Sequence, residues 1–273
     1  MIILRTLRMA ELAHSVKARI LCAFTKKGTP QRRSSFSMGV FLEKKQYASS
    51  EVSAVSAYMA RVYLWMTVGL ALTAITAWVV ASSESLLQTI FANSIIPIVL
   101  AVVEIGIVFA ISAAIHKMSA QVATFLFALF SFINGVTLSS IFVVYSLGSI
   151  ANAFLATAGT FGAMSIYGTV TKRDLSSLGS FLFMGLIGLI IASVVNLFLA
   201  SQMMDFVISA IGVLIFTLYT AYDTQKLREF GSAAPLSDDQ AVQRGAILGA
   251  LVLYLDFVNL FLYLLRFFGA SRD

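Results

Sequence analysis

Hydrophobic and polar residues separate along this chain in long blocks. After residue 61 the sequence falls into seven apolar runs divided by shorter polar stretches. A membrane-spanning helix needs roughly 20 mostly apolar residues. The runs meet that length and predict spans at 62–81, 95–115, 122–145, 150–170, 178–200, 205–222 and 246–267. The one sizeable hydrophilic segment between spans is 223–245, DTQKLREFGSAAPLSDDQAVQRG, which carries mixed charge and a turn-forming Pro235. The expected fold is an all-α membrane protein, a seven-helix bundle. Its expected parts are a tail over 1–56, a membrane domain over 57–269 and a short tail over 270–273.

Small residues predict where the spans touch, because helices in lipid associate by close packing. Gly69, Thr73 and Ala77 share one face of the first span. Gly159 and Ala163 do so in the fourth, and Gly245 with Gly249 at the start of the seventh. Two polar pairs three residues apart, Asn134 with Thr137 and Ser193 with Asn196, predict hydrogen bonds between helices.

Composition agrees with a membrane setting. The chain is 59% hydrophobic and 12% charged, where soluble domains carry about 25% charged residues. One cysteine, Cys22, cannot form an internal disulfide, and His14 and His116 lack zinc-site spacing. There is no Gly-rich phosphate loop, no HExxH helix and no nucleophile–base pair, so no enzyme is expected. No resident cofactor is expected either.

Charge sets the expected orientation. Residues 1–50 hold ten Lys/Arg and two Glu, a balance of +8; the remainder holds nine Lys/Arg and eleven Asp/Glu, a balance of −2. Basic residues flanking spans favour the cytoplasmic side. With the N-terminus inside, Arg61, Lys117, Lys172, Arg173, Lys226, Arg228 and Arg244 also fall inside, and only Arg266 and Arg272 outside. The tail reads as a disordered basic segment, as an amphipathic helix on a membrane surface, or as a transit peptide for an organelle. The excess positive charge points to a lipid surface and gives no nucleic-acid domain.

Glu104, Asp223 and Asp256 are acids within or at the edge of spans. An ionisable residue inside a span is a functional candidate, set against the alternative that it only fixes packing. Asp256, Asn259 and Tyr263 form one polar stripe on the seventh span, which should face the bundle interior. Asp223 ends the sixth span, near the cytoplasmic boundary, with Tyr219 and Thr220 close to its face. If Asp223 and Asp256 meet, they share a proton and titrate as a unit. Both ionised, they repel, and carboxylate oxygens suit transient Ca²⁺. Lys117 and His116 are candidates for a latch onto Asp223, or ordinary basic flanking residues.

The segments "VYLWMTVGLALTAITAW", "FGAMSIYGTVTKRDLS", "TAYDTQKL" and "LYLDFVNLFLYLLRFFG" closely resemble the Bax inhibitor-1 (transmembrane Bax inhibitor motif) family, its bacterial inner-membrane branch in particular. The resemblance covers about residues 57–269. It implies a seven-helix bundle with the last helix central, and a pH-sensitive Ca²⁺ leak through the membrane. It assigns the proton sensor to Asp223 in "YDTQ" and Asp256 in "YLDF", and the ion path to Glu104; Asn259 extends that path along the same stripe. Some members carry an Arg latch on the second helix. Here the local sequence is "AIHKMSA", and Lys is not a bidentate equivalent of Arg. The resemblance also implies, as the rival role, a regulatory protein that modulates a membrane protease. The expected location is a bacterial inner membrane, or the mitochondrial inner membrane if the tail is a transit peptide.

Overall fold

The computed structural model describes residues 37–93, 95–233 and 239–269. The alternatives for the tail over 1–36, the turn at Pro235 and the end of the chain with Arg272 lie outside the described residues. The helices in chain order are α1 (Ser37–Ala81), α2 (Glu84–Phe91), α3 (Ile95–Ala114), α4 (Ala120–Leu138), α5 (Ile141–Val144), α6 (Leu147–Val170), α7 (Leu178–Leu199), α8 (Gln202–Ala233) and α9 (Asp239–Phe268). Among the described residues, seven are long and apolar enough to cross a membrane, with α4 and α5 forming one broken span over Ala120–Val144.

Local chemistry sets several ends. Ser119 and Ser146 cap α4 and α6, their side chains accepting from Val122 N (3.3 Å) and Ser149 N (3.2 Å). This supplies a partner to one of the free N–H groups of a first helical turn. Between α4 and α5, the Ser139 and Ser140 hydroxyls donate back to Val136 O and Thr137 O. Between α7 and α8 the chain reverses through Ala200, which sits at φ 49°. Asn196 Oδ1 accepts from Ser201 N at 3.1 Å and closes that turn. Asn196 was expected to bond a neighbouring helix. It makes this local bond because, three residues from the end of α7, its side chain reaches the N–H of Ser201 in the turn that follows.

Three boundaries depart from the hydropathy reading. The helix of the first span begins at Ser37, α8 continues to Ala233, and α9 begins at Asp239. Most of the expected 223–245 loop is therefore helix. Hydropathy marks the slab that a span occupies, but backbone hydrogen bonding does not stop where lipid does. The extensions also pack: Arg61 Nη1 on α1 pairs with Asp239 Oδ1 at 3.0 Å.

Helix α9 differs from the rest in burial. Of its most apolar 18-residue window, 83% is buried, against 22–39% for the other six spans. It packs against α8, α1, α6, α4 and α3. Tyr254 meets Phe127 and Phe130 edge-on, with ring centroids 6.0 and 5.4 Å apart. Phe257 does the same with Phe154 and Phe161 at 5.6 and 5.4 Å. Gly245 and Gly249 lie on the buried face, as expected, against Phe230 and against Leu227 and Val62.

Close approach explains two other glycines. A Cβ on Gly135 would fall 2.7 Å from Thr73 O, so α4 and α1 touch there backbone to backbone. A Cβ on Gly168 would collide with the Ala221 carbonyl, fixing α6 against α8. The Gly159–Ala163 expectation is corrected. Both residues are exposed, and nothing lies within 4 Å of a Cβ built on Gly159. The buried face of α6 is Ala153, Thr157, Phe161, Ser165 and Gly168. A four-residue spacing of small residues marks a helix face, but the neighbours decide which face is covered.

Candidate functional site

Asp223 and Asp256 sit on the packed pair α8 and α9. Both are buried, Asp256 completely. The helices run antiparallel, and two contacts bracket the acids: Phe216 stacks on Tyr263 with centroids 5.7 Å apart, and Leu227 lies against Gly249. Counted from the first contact, each acid is seven residues away; counted from the second, Asp223 is four away and Asp256 seven. At 1.5 Å per residue the two positions therefore lie within about 5 Å of the same depth. Asp223 is not at a helix end as expected, because α8 continues ten residues beyond it.

Asn259 and Tyr263 are buried with Asp256, so the polar stripe faces inward. Asn259 Nδ2 donates to Leu255 O on its own helix at 2.6 Å.

Glu104 anchors a second buried group. On α3 it is 5% exposed. Thr137 Oγ1 donates to its Oε1 at 2.6 Å and Asn134 Nδ2 to its Oε2 at 3.1 Å. Both donors come from α4, so the Asn134–Thr137 pair makes the interhelical bonds its spacing predicted. Donors to both oxygens suit a carboxylate, which only accepts when ionised. Asn134 Oδ1 in turn accepts from Tyr254 OH at 2.9 Å. The Tyr254 hydroxyl lies 2.7 Å from Thr73 Oγ1, itself 2.8 Å from Ser131 O. The cluster thus joins α3, α4, α9 and α1. Sequence reasoning placed Thr73 on a packing face of the first span without a hydrogen-bond partner, and it missed Tyr254, whose only signal was a hydroxyl in an apolar run.

His116 and Lys117 are exposed in the turn between α3 and α4. The bonds holding this turn run to the start of α9: Arg244 Nη1 donates to Met118 O at 3.3 Å, and Ala120 N donates to Gln240 Oε1 at 3.3 Å. Among the described residues, no three His, Cys, Asp or Glu cluster so as to hold a metal ion.

Seven apolar helices, with acids buried on the last two and a third acid held in a polar cluster, define a multi-span membrane protein with intramembrane carboxylates. Residues 55–273 match the family model described as Inhibitor of apoptosis-promoting Bax1. The chain belongs to the Bax inhibitor-1 family. It is 52% identical over 215 residues to the inner membrane protein YbhL of Escherichia coli K12, covering 79% of this chain and 92% of that one. An uncharacterised protein of Borreliella burgdorferi is 45% identical over 224 residues, 82% of this chain and 96% of its own. An uncharacterised membrane protein of Streptococcus pyogenes serotype M1 is 38% identical over 227 residues, 82% and 97% of the two chains.

Proposed function

We propose that the protein is a pH-sensitive leak path for cations, Ca²⁺ in particular, in a bacterial inner membrane, with its N-terminus in the cytoplasm. Asp223 and Asp256 act as a proton-sharing pair and Glu104 as an acid on the ion path. The observation that carries this reading is the burial of two acids at nearly one depth on packed helices. Away from water, two ionised carboxylates repel strongly, and one shared proton removes the repulsion. Loss of that proton drives the helices apart or draws in a cation. Two carboxylates offer four oxygens, fewer than the six to eight that Ca²⁺ takes. That favours passage over storage. The name of the Escherichia coli relative supports the membrane, and the basic flanks support the orientation.

The test is Ca²⁺ flux in proteoliposomes between pH 5 and 8. Asp223→Asn and Asp256→Asn should each change its pH dependence, while unchanged curves in both variants overturn the sensor. The rival reading, a regulator of a membrane protease, predicts that deleting the tail abolishes function while flux persists. Its second contact surface, 223–245, would then be presented mostly by helix, since 223–233 and 239–245 are helical.

A further inference from the structure

Beyond Asp223, α8 is held by the loop between α6 and α7. Gln225 makes the main connection. Its Oε1 accepts from Leu175 N at 2.8 Å, and its Nε2 donates to Arg173 O at 2.9 Å. One side-chain amide thus pairs with the backbone N–H of one loop residue and the C=O of another. Gln225 is buried, as is Leu175. Its neighbours strengthen the join: Lys226 Nζ donates to Ser176 Oγ at 2.8 Å and Arg228 Nη1 to Thr169 O at 2.7 Å. One turn earlier, Gly168 rests on the Ala221 backbone.

Gln225 is two residues from Asp223, which places the two side chains about 200° apart around the helix. One side of this segment is gripped by the loop; the opposite side carries the acid. We propose that Gln225 is a positioning residue for Asp223, fixing the rotation and depth of α8 through its two bonds to the loop. The inference rests on the reading of Asp223 and Asp256 as a proton-sharing pair. A neutral amide suits the task, because it holds the backbone without adding a charge two residues from the sensor.

Of the other ionisable groups nearby, Tyr58, Arg61 and Asp174 have partners of their own, and Lys172 and Arg173 are exposed. On the elements packed against this part of α8, α9 brings Asp256, α1 brings Tyr58 and Arg61, and the loop brings Lys172, Arg173 and Asp174. Helices α6 and α7 hold no Asp, Glu, Lys, Arg or His. Tyr58 donates to Gly245 O at 3.1 Å, Arg61 pairs with Asp239, and Asp174 accepts from Ser176 N at 2.8 Å. Asp256 is the acid on the helix packed against this part of α8.

The test uses the full chain in liposomes and the variant Gln225→Met, which keeps length and burial and removes both bonds. Hydrogen exchange at the Leu175 amide reads the clasp. The pH midpoint of the protonated-carboxyl infrared band that Asp223→Asn removes reads the sensor. Exchange should quicken about tenfold or more on loss of the bond. The midpoint should move by about 0.5 pH unit or more, since the distance between like charges has changed. Unchanged exchange overturns the clasp, and faster exchange with a fixed midpoint overturns the positioning role. If the midpoint moves but the wild-type protein passes no Ca²⁺ at any pH, the leak reading falls and the positioning role stands. Should Gln225→Met fail to fold, the wild type decides, because coupling between two sites is reciprocal. Leu175 protection must then change across the midpoint in the wild type and not in Asp223→Asn; no change overturns the proposal.

Discussion

Asn134 reaches Glu104 across the α3–α4 contact with a 3.1 Å bond from its amide nitrogen, while its oxygen takes the hydroxyl proton of Tyr254. One side chain thus joins an acid on α3 to the helix that carries Asp256. Replacing Asn134 with Leu takes one bond from each partner in a dry site, leaving Glu104 its bond from Thr137 and Tyr254 its contact with Thr73. Taking a bond from a buried polar group costs about 1–3 kcal/mol. The unfolding midpoint of Asn134→Leu in detergent should fall accordingly, and Glu104→Gln in the same background should recover part of the loss.

The Tyr254–Thr73 contact, at 2.7 Å, connects α9 to α1 within the cluster. Tyr254→Phe and Thr73→Val each remove one hydroxyl with little change in shape. Contacting residues couple by about 0.5–3 kcal/mol in a double-mutant cycle. The two losses should therefore be non-additive. Strict additivity would mean that this hydrogen bond contributes nothing to stability.

Two glycines of one helix should respond in opposite ways. Gly168→Ala drives a methyl group into the Ala221 carbonyl, and backbone cannot step aside as a side chain can. Overpacking of this kind costs about 1–3 kcal/mol or more. Gly159→Ala meets nothing within 4 Å and should be neutral or slightly stabilising. Thermal stability of the two variants in one detergent checks the contrast.

Asp174 lies in the loop outside the spans, fully exposed, and accepts from Ser176 N at 2.8 Å. Bonds from the Ser176 hydroxyl and N–H favour its ionised form and hold the carboxyl below its ordinary 3.8. The folded value is depressed, so the stabilisation is present above the ordinary value and lost as pH falls through the folded one. Protection of the Ser176 amide, corrected for intrinsic exchange, should decline at acid pH in the wild type. In Asp174→Ala it should be low and independent of pH.

Much of this architecture could be read from residue order because lipid imposes a coarse, strong rule. A run of apolar residues long enough to cross must be a helix, since its backbone groups have no other partners there. The inward stripe on α9 was visible for a related reason, because Asp256 and Asn259 could not face hydrocarbon. The Asn134–Thr137 pair was readable as a donor pair, but not its acceptor. Glu104 lies 30 residues from Asn134, and only the packing of α3 on α4 brings them together. Tyr254 and Thr73 are 181 residues apart; the small-residue face marked Thr73 as a contact, but nothing local paired it with Tyr254. The polar continuations of α1, α8 and α9 were hidden because hydropathy reports the surrounding solvent, whereas helix formation depends on the backbone. The clasp at Gln225 was missed for another reason. A side chain that bonds the backbone leaves no trace in the identity of the loop residues it holds.

The burial of α9 also bears on how the chain is made. Of the seven spans it leaves the ribosome last, since synthesis runs from the N-terminus. Until it inserts, the six spans before it have no Tyr254 to bond Asn134 and no surface to fill the space that α9 occupies. Order of synthesis therefore makes the most buried helix also the last of the seven to meet its partners on α1, α3, α4, α6 and α8.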